Sequence, residues 1–330
     1  MGPWVHSIDP IIGTVFGVHL WWYGLSYSLG FLNAHLFFMR RRAELGLAKR
    51  EVYELSLLLS AGVLTGGRLL VVHNEWSFYQ DHRALIPAIW IGGMATHGLI
   101  IGGFAGVAAF CLLRRKPLLV MADALAIPAA FILCVGRVGN FIDGQIVGSV
   151  TDVPWAVKFP DAEGFRHPVV LYDGLKNLLI VPVLMFARRR GVPPGGLAAR
   201  FLFLYAFARI FIDYFREYPL TMLGLPAGQT MNLLLSAAGI VLLLRNRRRP
   251  LTRLAVPAAR EELGGFWWRR ALFAAVVMGS MVIASDATRD IPAKYGKRHP
   301  GLEYSRMYPP IPHPPGGTVM RRRRPMTGPC

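Results

Sequence analysis

Runs of about twenty apolar residues recur along this chain, and every second one ends in a cluster of basic residues. About twenty is the length a helix needs to cross the hydrocarbon of a bilayer. The runs cover about 15–38, 52–72, 91–113, 118–135, 169–186, 196–214 and 227–244. Arg40 to Arg42 follow the first, Arg114 to Lys116 the third, Arg188 to Arg190 the fifth and Arg245 to Arg249 the seventh. The alternate loops hold only scattered basic residues, such as Arg83, Lys158 and Arg166. Basic residues gather on the cytoplasmic side of membrane proteins. The pattern therefore predicts an all-α polytopic membrane protein with seven transmembrane helices, its N-terminus and the loop 136–160 outside.

The rest of the chain divides on the same grounds. Residues 1–245 form the multi-span body and 246–270 a basic cytoplasmic linker. The short apolar run 271–285 reads either as an eighth span or as an interfacial helix. Residues 286–330 are Pro-rich and basic, predicting a tail disordered unless bound to a partner, with Arg321 to Arg324 as a docking element for a larger membrane complex or anionic lipid. The net charge of +18 sits at the ends of apolar runs, which points to anionic membrane lipids and away from nucleic acid. Three cysteines show no metal or redox spacing. No basic n-region marks a cleavable signal at the N-terminus.

The polar residues at membrane depth carry the functional information, because charge is costly there. The richest stretch is GRVGNFIDGQIVGSVTDVPWAVKFP, 136–160, read as a Gly-rich loop with Arg137 at the membrane edge. A guanidinium fork beside accessible backbone N–H groups suits a lipid phosphate. Arg68, after Gly66 and Gly67, reads first as a tie between helices. His97 opens HGLIIGG and fits either packing or function. In the sixth run Tyr205, Arg209 and Asp213 are four apart and so share one helix face, with Arg216 three further on. An Arg–Asp tie explains two of these and leaves Tyr205 and Arg216 over. RHPVVLYD, 166–173, enters the fifth run with Tyr23 at a comparable level. Catalytic triads, HExxH and P-loops are missing from the sequence. The inventory suits binding a phosphodiester and assisting proton transfer with no metal and no cofactor.

WYGLSY (22–27), GGR (66–68), HGLIIGG, GRVGNFIDGQIVG, PWAVKFP, RHPVVLYD and YAFARIFIDYFRE, followed by Gly228 and Gln229, together resemble the prolipoprotein diacylglyceryl transferases of bacterial inner membranes. The resemblance covers about 21–244. It implies transfer of diacylglyceryl from phosphatidylglycerol to the lipobox cysteine thiol of a prolipoprotein, recognised through its signal peptide, with release of glycerol phosphate. It implies catalytic roles for His97, Arg137, Arg209 and Tyr205, and substrate binding by Asn140, with Tyr23 and Gly148 in support. Gln145, Asp213 and Arg216 are counted with the substrate-binding residues. Arg137 and Arg209 are expected to grip one headgroup, and His97 to be the nearest imidazole for the thiol proton. The chain departs from the family pattern at Gln145 (an acid there), Ser149 (an arginine) and Asp213 (a glutamate). Those departures leave one alternative, a non-catalytic relative serving as a structural subunit. A transporter is disfavoured, because no inverted repeat is visible.

Overall fold

The computed structural model describes residues 4–216, 221–222, 225–247, 267–285 and 290–311. Most of the linker and the run Arg321 to Arg324 lie outside the described residues. Ten helices are present among those described: α1 (Trp22–Arg40), α2 (Lys49–Asn74), α3 (Trp76–Tyr79), α4 (Thr96–Arg114), α5 (Leu118–Ile142), α6 (Val169–Arg189), α7 (Gly196–Asp213), α8 (Ala227–Arg247), α9 (Trp267–Gly279) and α10 (Ile291–Tyr295). Five of them, α2, α4, α5, α6 and α8, are long and apolar enough to cross a membrane. This is an integral membrane protein of the all-α class. Side chains such as Leu112, Leu179 and Phe211 stay exposed on the bundle's outer surface, as lipid-facing positions require.

The basic clusters meet at one end of the bundle. Arg114 forks onto Glu54 with two contacts of 2.6 Å, Lys116 reaches Glu51 at 3.0 Å, and Arg188 meets Glu44 at 3.2 Å. At the same end Asp123, on α5, accepts from the backbone N–H groups of Gly195 and Ala198 at 2.8 Å each. It thereby satisfies donors that the first turn of α7 would leave open.

Helices α2 and α4 touch backbone to backbone. A Cβ built at Gly62, Gly66, Gly98 or Gly102 would lie 2.0–2.4 Å from a carbonyl oxygen of the facing helix, so the small-xxx-small spacing is a steric necessity here. The glycines around His97 are therefore packing residues. Arg68 also proves structural. Its guanidinium donates to the carbonyls of Leu85, Ile86, Gly92 and Gly93, folding the loop between α3 and α4 onto the bundle.

Three boundaries differ from the sequence expectation. The first apolar run does not begin as helix: Ile11–Val15 (β2) pairs antiparallel with Val18–Trp21 (β3), and α1 starts only at Trp22. An earlier strand, Trp4–Val5 (β1), pairs parallel with Val157–Lys158 (β4). The third run opens with a turn through Gly92 and Gly93, both at positive φ. Most consequentially, α5 does not stop at Gly136 but stays helical to Ile142. Gly139 takes the place of a larger residue because α1 is so near: its Cβ would sit 3.0 Å from the Tyr23 Cα.

The expectation of a disordered tail from 286 is corrected for 290–311. Ile291, Tyr295, Leu302, Tyr308 and Ile311 are buried in one cluster with Ile11, Trp21, Val72, Tyr79 and Ile91. Hydrogen bonds fix the register, from the His19 N–H to the Tyr308 hydroxyl at 2.9 Å and from the Trp90 indole to the Met307 carbonyl at 2.9 Å. Together these segments cap the bundle end opposite the basic clusters.

Candidate functional site

Three helices bring charge, and a fourth an amide, to one buried point near that capped end. Because α5 remains helical, Arg137 and Asn140 lie one turn apart on a shared face. The Arg137 Nη1 donates to the Asn140 Oδ1 at 3.1 Å. From α6 comes Asp173, fully buried. Arg137 Nε donates to Asp173 Oδ2 at 2.5 Å, and Arg209 of α7 pairs with the same oxygen. Lys176, one turn along α6, meets the other carboxylate oxygen at 2.8 Å. Arg209 Nε also donates to Asp213 at 2.9 Å, and Asn232 of α8 donates to the remaining Asp213 oxygen at 2.7 Å. Lys176 lies 4.0 Å over the ring of Tyr205, itself buried.

Buried charges must be paired, or the desolvation cost is prohibitive. Here the pairing is incomplete by design of the sequence. Among the described residues Arg137, Lys176 and Arg209 face Asp173 and Asp213, three cations against two carboxylates, so these five side chains carry one net positive charge. That is the complement of a phosphodiester monoanion, and guanidinium forks match its oxygens. His97 is the exposed member of the group, and the charges of Arg209, Asp213 and Arg137 all reach it. Tyr23 lies on the α1 face packed against Gly139, its hydroxyl 3.1 Å from that of Tyr27.

The other expected residues are placed elsewhere. Gly148 stitches loops by its backbone: its N–H donates to the His167 carbonyl at 3.1 Å, and it bridges to Arg216. A side chain there would meet the His167 oxygen at 2.6 Å. Ser149 donates its N–H to Phe215 at 2.8 Å in the same stitch. Gln145 donates to the Tyr295 hydroxyl at 3.3 Å, toward the cap. Among the described residues no three His, Cys, Asp or Glu side chains converge as metal ligands would.

Sequence reasoning missed the hub. Asp173 appears there only as the end of RHPVVLYD, yet an acid at membrane depth followed by Lys176 three residues later is a signal in itself. It also missed Asn232 and Asp143. The latter is fully buried just beyond α5, and burial pushes its carboxyl up to about 8 against the pull of the Ser285 hydroxyl, Arg298 and Lys294.

The fold and site define an integral membrane protein with a buried, charged polar centre enclosed among its helices. Comparison with known proteins sharpens this. The family profile described as prolipoprotein diacylglyceryl transferase matches residues 10–245. A phosphatidylglycerol–prolipoprotein diacylglyceryl transferase of Mannheimia succiniciproducens is 36% identical over 256 residues, 73% of this chain and 95% of the relative. One of Geobacter sulfurreducens is 38% identical over 229 residues, 67% of this chain and 86% of the relative. One of Aeromonas salmonicida is 34% identical over 262 residues, 76% and 94% respectively. The chain belongs to the prolipoprotein diacylglyceryl transferase family.

Proposed function

We infer that this chain transfers the diacylglyceryl group of phosphatidylglycerol to the lipobox cysteine thiol of prolipoproteins, releasing glycerol phosphate. The observation that carries the reading is the meeting of Arg137 and Arg209, distant in sequence, on one oxygen of Asp173. Both forks are thereby aimed at a single point inside a cluster with one positive charge to spare. In the proposed mechanism they hold the phosphate and stabilise the charge it gains as the carbon–oxygen bond breaks. Asn140 fixes the Arg137 fork, and Tyr205 and Lys176 complete the wall behind it. His97, exposed beside these charges, is the proposed acceptor for the thiol proton. The relatives reported above are all named as transferases, which favours this reading over a non-catalytic subunit.

The test is phosphatidylglycerol-dependent modification of a lipobox peptide by purified full-length protein, alongside His97→Ala and Gln145→Glu. Wild type should modify the peptide, and His97→Ala should lose about a hundredfold or more in rate. Gln145→Glu should change little, because the side-chain contact of Gln145 is with the Tyr295 hydroxyl of the cap. Absence of any modification by wild type would end the transferase reading; an undiminished rate in His97→Ala would end only the proton role.

The finer topology is proposed on the same footing. The basic end faces the cytoplasm of a bacterial inner membrane, α1, α2 and α4 to α8 make seven crossings, residues 267–285 return the chain as an eighth, and the N-terminus and cap lie outside. Contacts with anionic lipid at the basic end belong to the same picture. In a chain stripped of its native cysteines, Asp152→Cys should react with an impermeant thiol reagent applied from outside. Arg189→Cys should react only after permeabilisation. The reverse pattern sinks this orientation.

A further inference from the structure

The segment 267–285 lies beyond the region that matches the family, 10–245, and its sequence has an anatomy of its own. Arg269 and Arg270 precede an apolar run from 271 to 283, which ends in Ala284 and Ser285. A basic start, seven to fifteen apolar residues and small residues at the end are the parts of a secretory signal sequence. The segment also lies in the bundle the way a signal sequence crosses a membrane, basic end first. Arg269 pairs with Glu54 at 2.9 Å near the basic end. Phe273 is buried, its ring centroid 4.5 Å from that of His35 and 6.1 Å from that of Tyr53. Ser28 donates to the Val277 carbonyl at 2.6 Å. Gly24 admits the following turn so closely that a Cβ there would meet the Met281 oxygen at 2.4 Å.

The segment ends at the site. Ser285 is fully buried, and the Asn140 side-chain amide donates to its hydroxyl oxygen at 3.4 Å. Asn140 in turn holds Arg137. A serine differs from a cysteine only in the one atom that reacts. The position beside Asn140 is thus filled by the oxygen counterpart of a thiol, at the end of an apolar, small-residue-terminated segment.

We propose that residues 267–285 are a tethered pseudosubstrate: they occupy the groove of α1 and α2 where the signal sequence of a prolipoprotein binds, with Ser285 in the place of the acceptor cysteine. The proposal rests on the transferase reading. A serine hydroxyl is a far weaker nucleophile than a thiol at neutral pH, so the segment occupies the groove and is not consumed. Being tethered, it competes at a high effective concentration, and a prolipoprotein must displace it to react. The chain thereby holds its own acceptor site closed until signal sequences are abundant.

One substitution converts the pseudosubstrate into a substrate. In full-length Ser285→Cys the introduced sulfur forms a thioether to the terminal glycerol carbon of the diacylglyceryl group. The bond from that carbon to the phosphate oxygen breaks, its electron pair leaves with the phosphate, and the thiol proton ends on the released glycerol phosphate. The tryptic peptide 271–289, bounded by Arg270 and Arg289, should gain the mass of one diacylglyceryl group when the protein is incubated with phosphatidylglycerol. The same preparation is assayed on a lipobox peptide in trans. An unmodified thiol at position 285 beside a modified peptide overturns the proposal and leaves the transferase standing. If neither is modified, both fall. A second variant, Phe273→Ala, loosens the segment far from the phosphate cluster. Its KM for the lipobox peptide should drop by at least about threefold with kcat retained, because the competent fraction rises. A raised KM or a lost kcat would make the segment a structural brace and overturn the proposal.

Discussion

Arg137→Lys should cut phosphatidylglycerol-dependent transfer by at least about a hundredfold, although the charge is kept. Arg137 uses separate nitrogens for separate partners, Nε for Asp173 at 2.5 Å and Nη1 for Asn140 at 3.1 Å. A lysine ammonium is a point donor on a flexible stem and cannot hold both while also facing a phosphate oxygen. Asn140 would then lose the partner that fixes its amide, so the variant damages two contacts at once. Arg209→Lys should behave alike, since its Nε holds Asp213 while Nη1 holds Asp173. Rates are to be compared at saturating lipid, so that weaker binding does not stand in for slower chemistry. Full activity in either lysine variant would remove the clamp from the mechanism.

Asp173→Asn should be the most destabilising single change in the body, at about 3–5 kcal/mol. The carboxylate is fully buried and touches Arg137, Lys176 and Arg209. Asparagine keeps the volume and removes the charge, leaving three cations in low dielectric against Asp213 alone. Repulsion among them, rather than a cavity, drives the loss, so Asp173→Glu should recover most of it. The measurement is thermal unfolding of the detergent-solubilised protein, followed by tryptophan fluorescence. An Asp173→Asn protein that melts with the wild type would show that the cluster is not held by this carboxylate.

The helical body is readable from sequence because hydrophobic length and flanking arginines are local properties of the chain. The site is readable only in part. Tyr205, Arg209 and Asp213 declare themselves by spacing on one helix, whereas the role of Asp173 depends on three partners from different helices. Arg137 looks like a loop residue because glycines normally break helices. In α5 the packing of Gly139 against Tyr23 outweighs that preference. The tail misleads for the opposite reason. Prolines and basic residues dominate its composition, and the few side chains that anchor it, Ile291, Tyr295, Tyr308 and Ile311, are too widely spaced to form a periodic pattern. Nor does composition hint that the tail is tied to the end of α5, with Gln145 donating to the Tyr295 hydroxyl and Arg298 donating to the Asp143 carbonyl at 2.9 Å.

The capping cluster also sets a clock. Its members come from the first strands, from the loop after α2 and from the stretch ending at Ile311, so it has among the longest sequence separations in the molecule. Contacts of that kind form late, since the intervening chain must exist and be ordered first. During synthesis the arginine cluster of α5 to α7 is complete while the cover over it is still untranslated. Each new molecule therefore passes through an interval with its polar centre assembled and its roof missing, and a ribosome paused after α8 would prolong that interval.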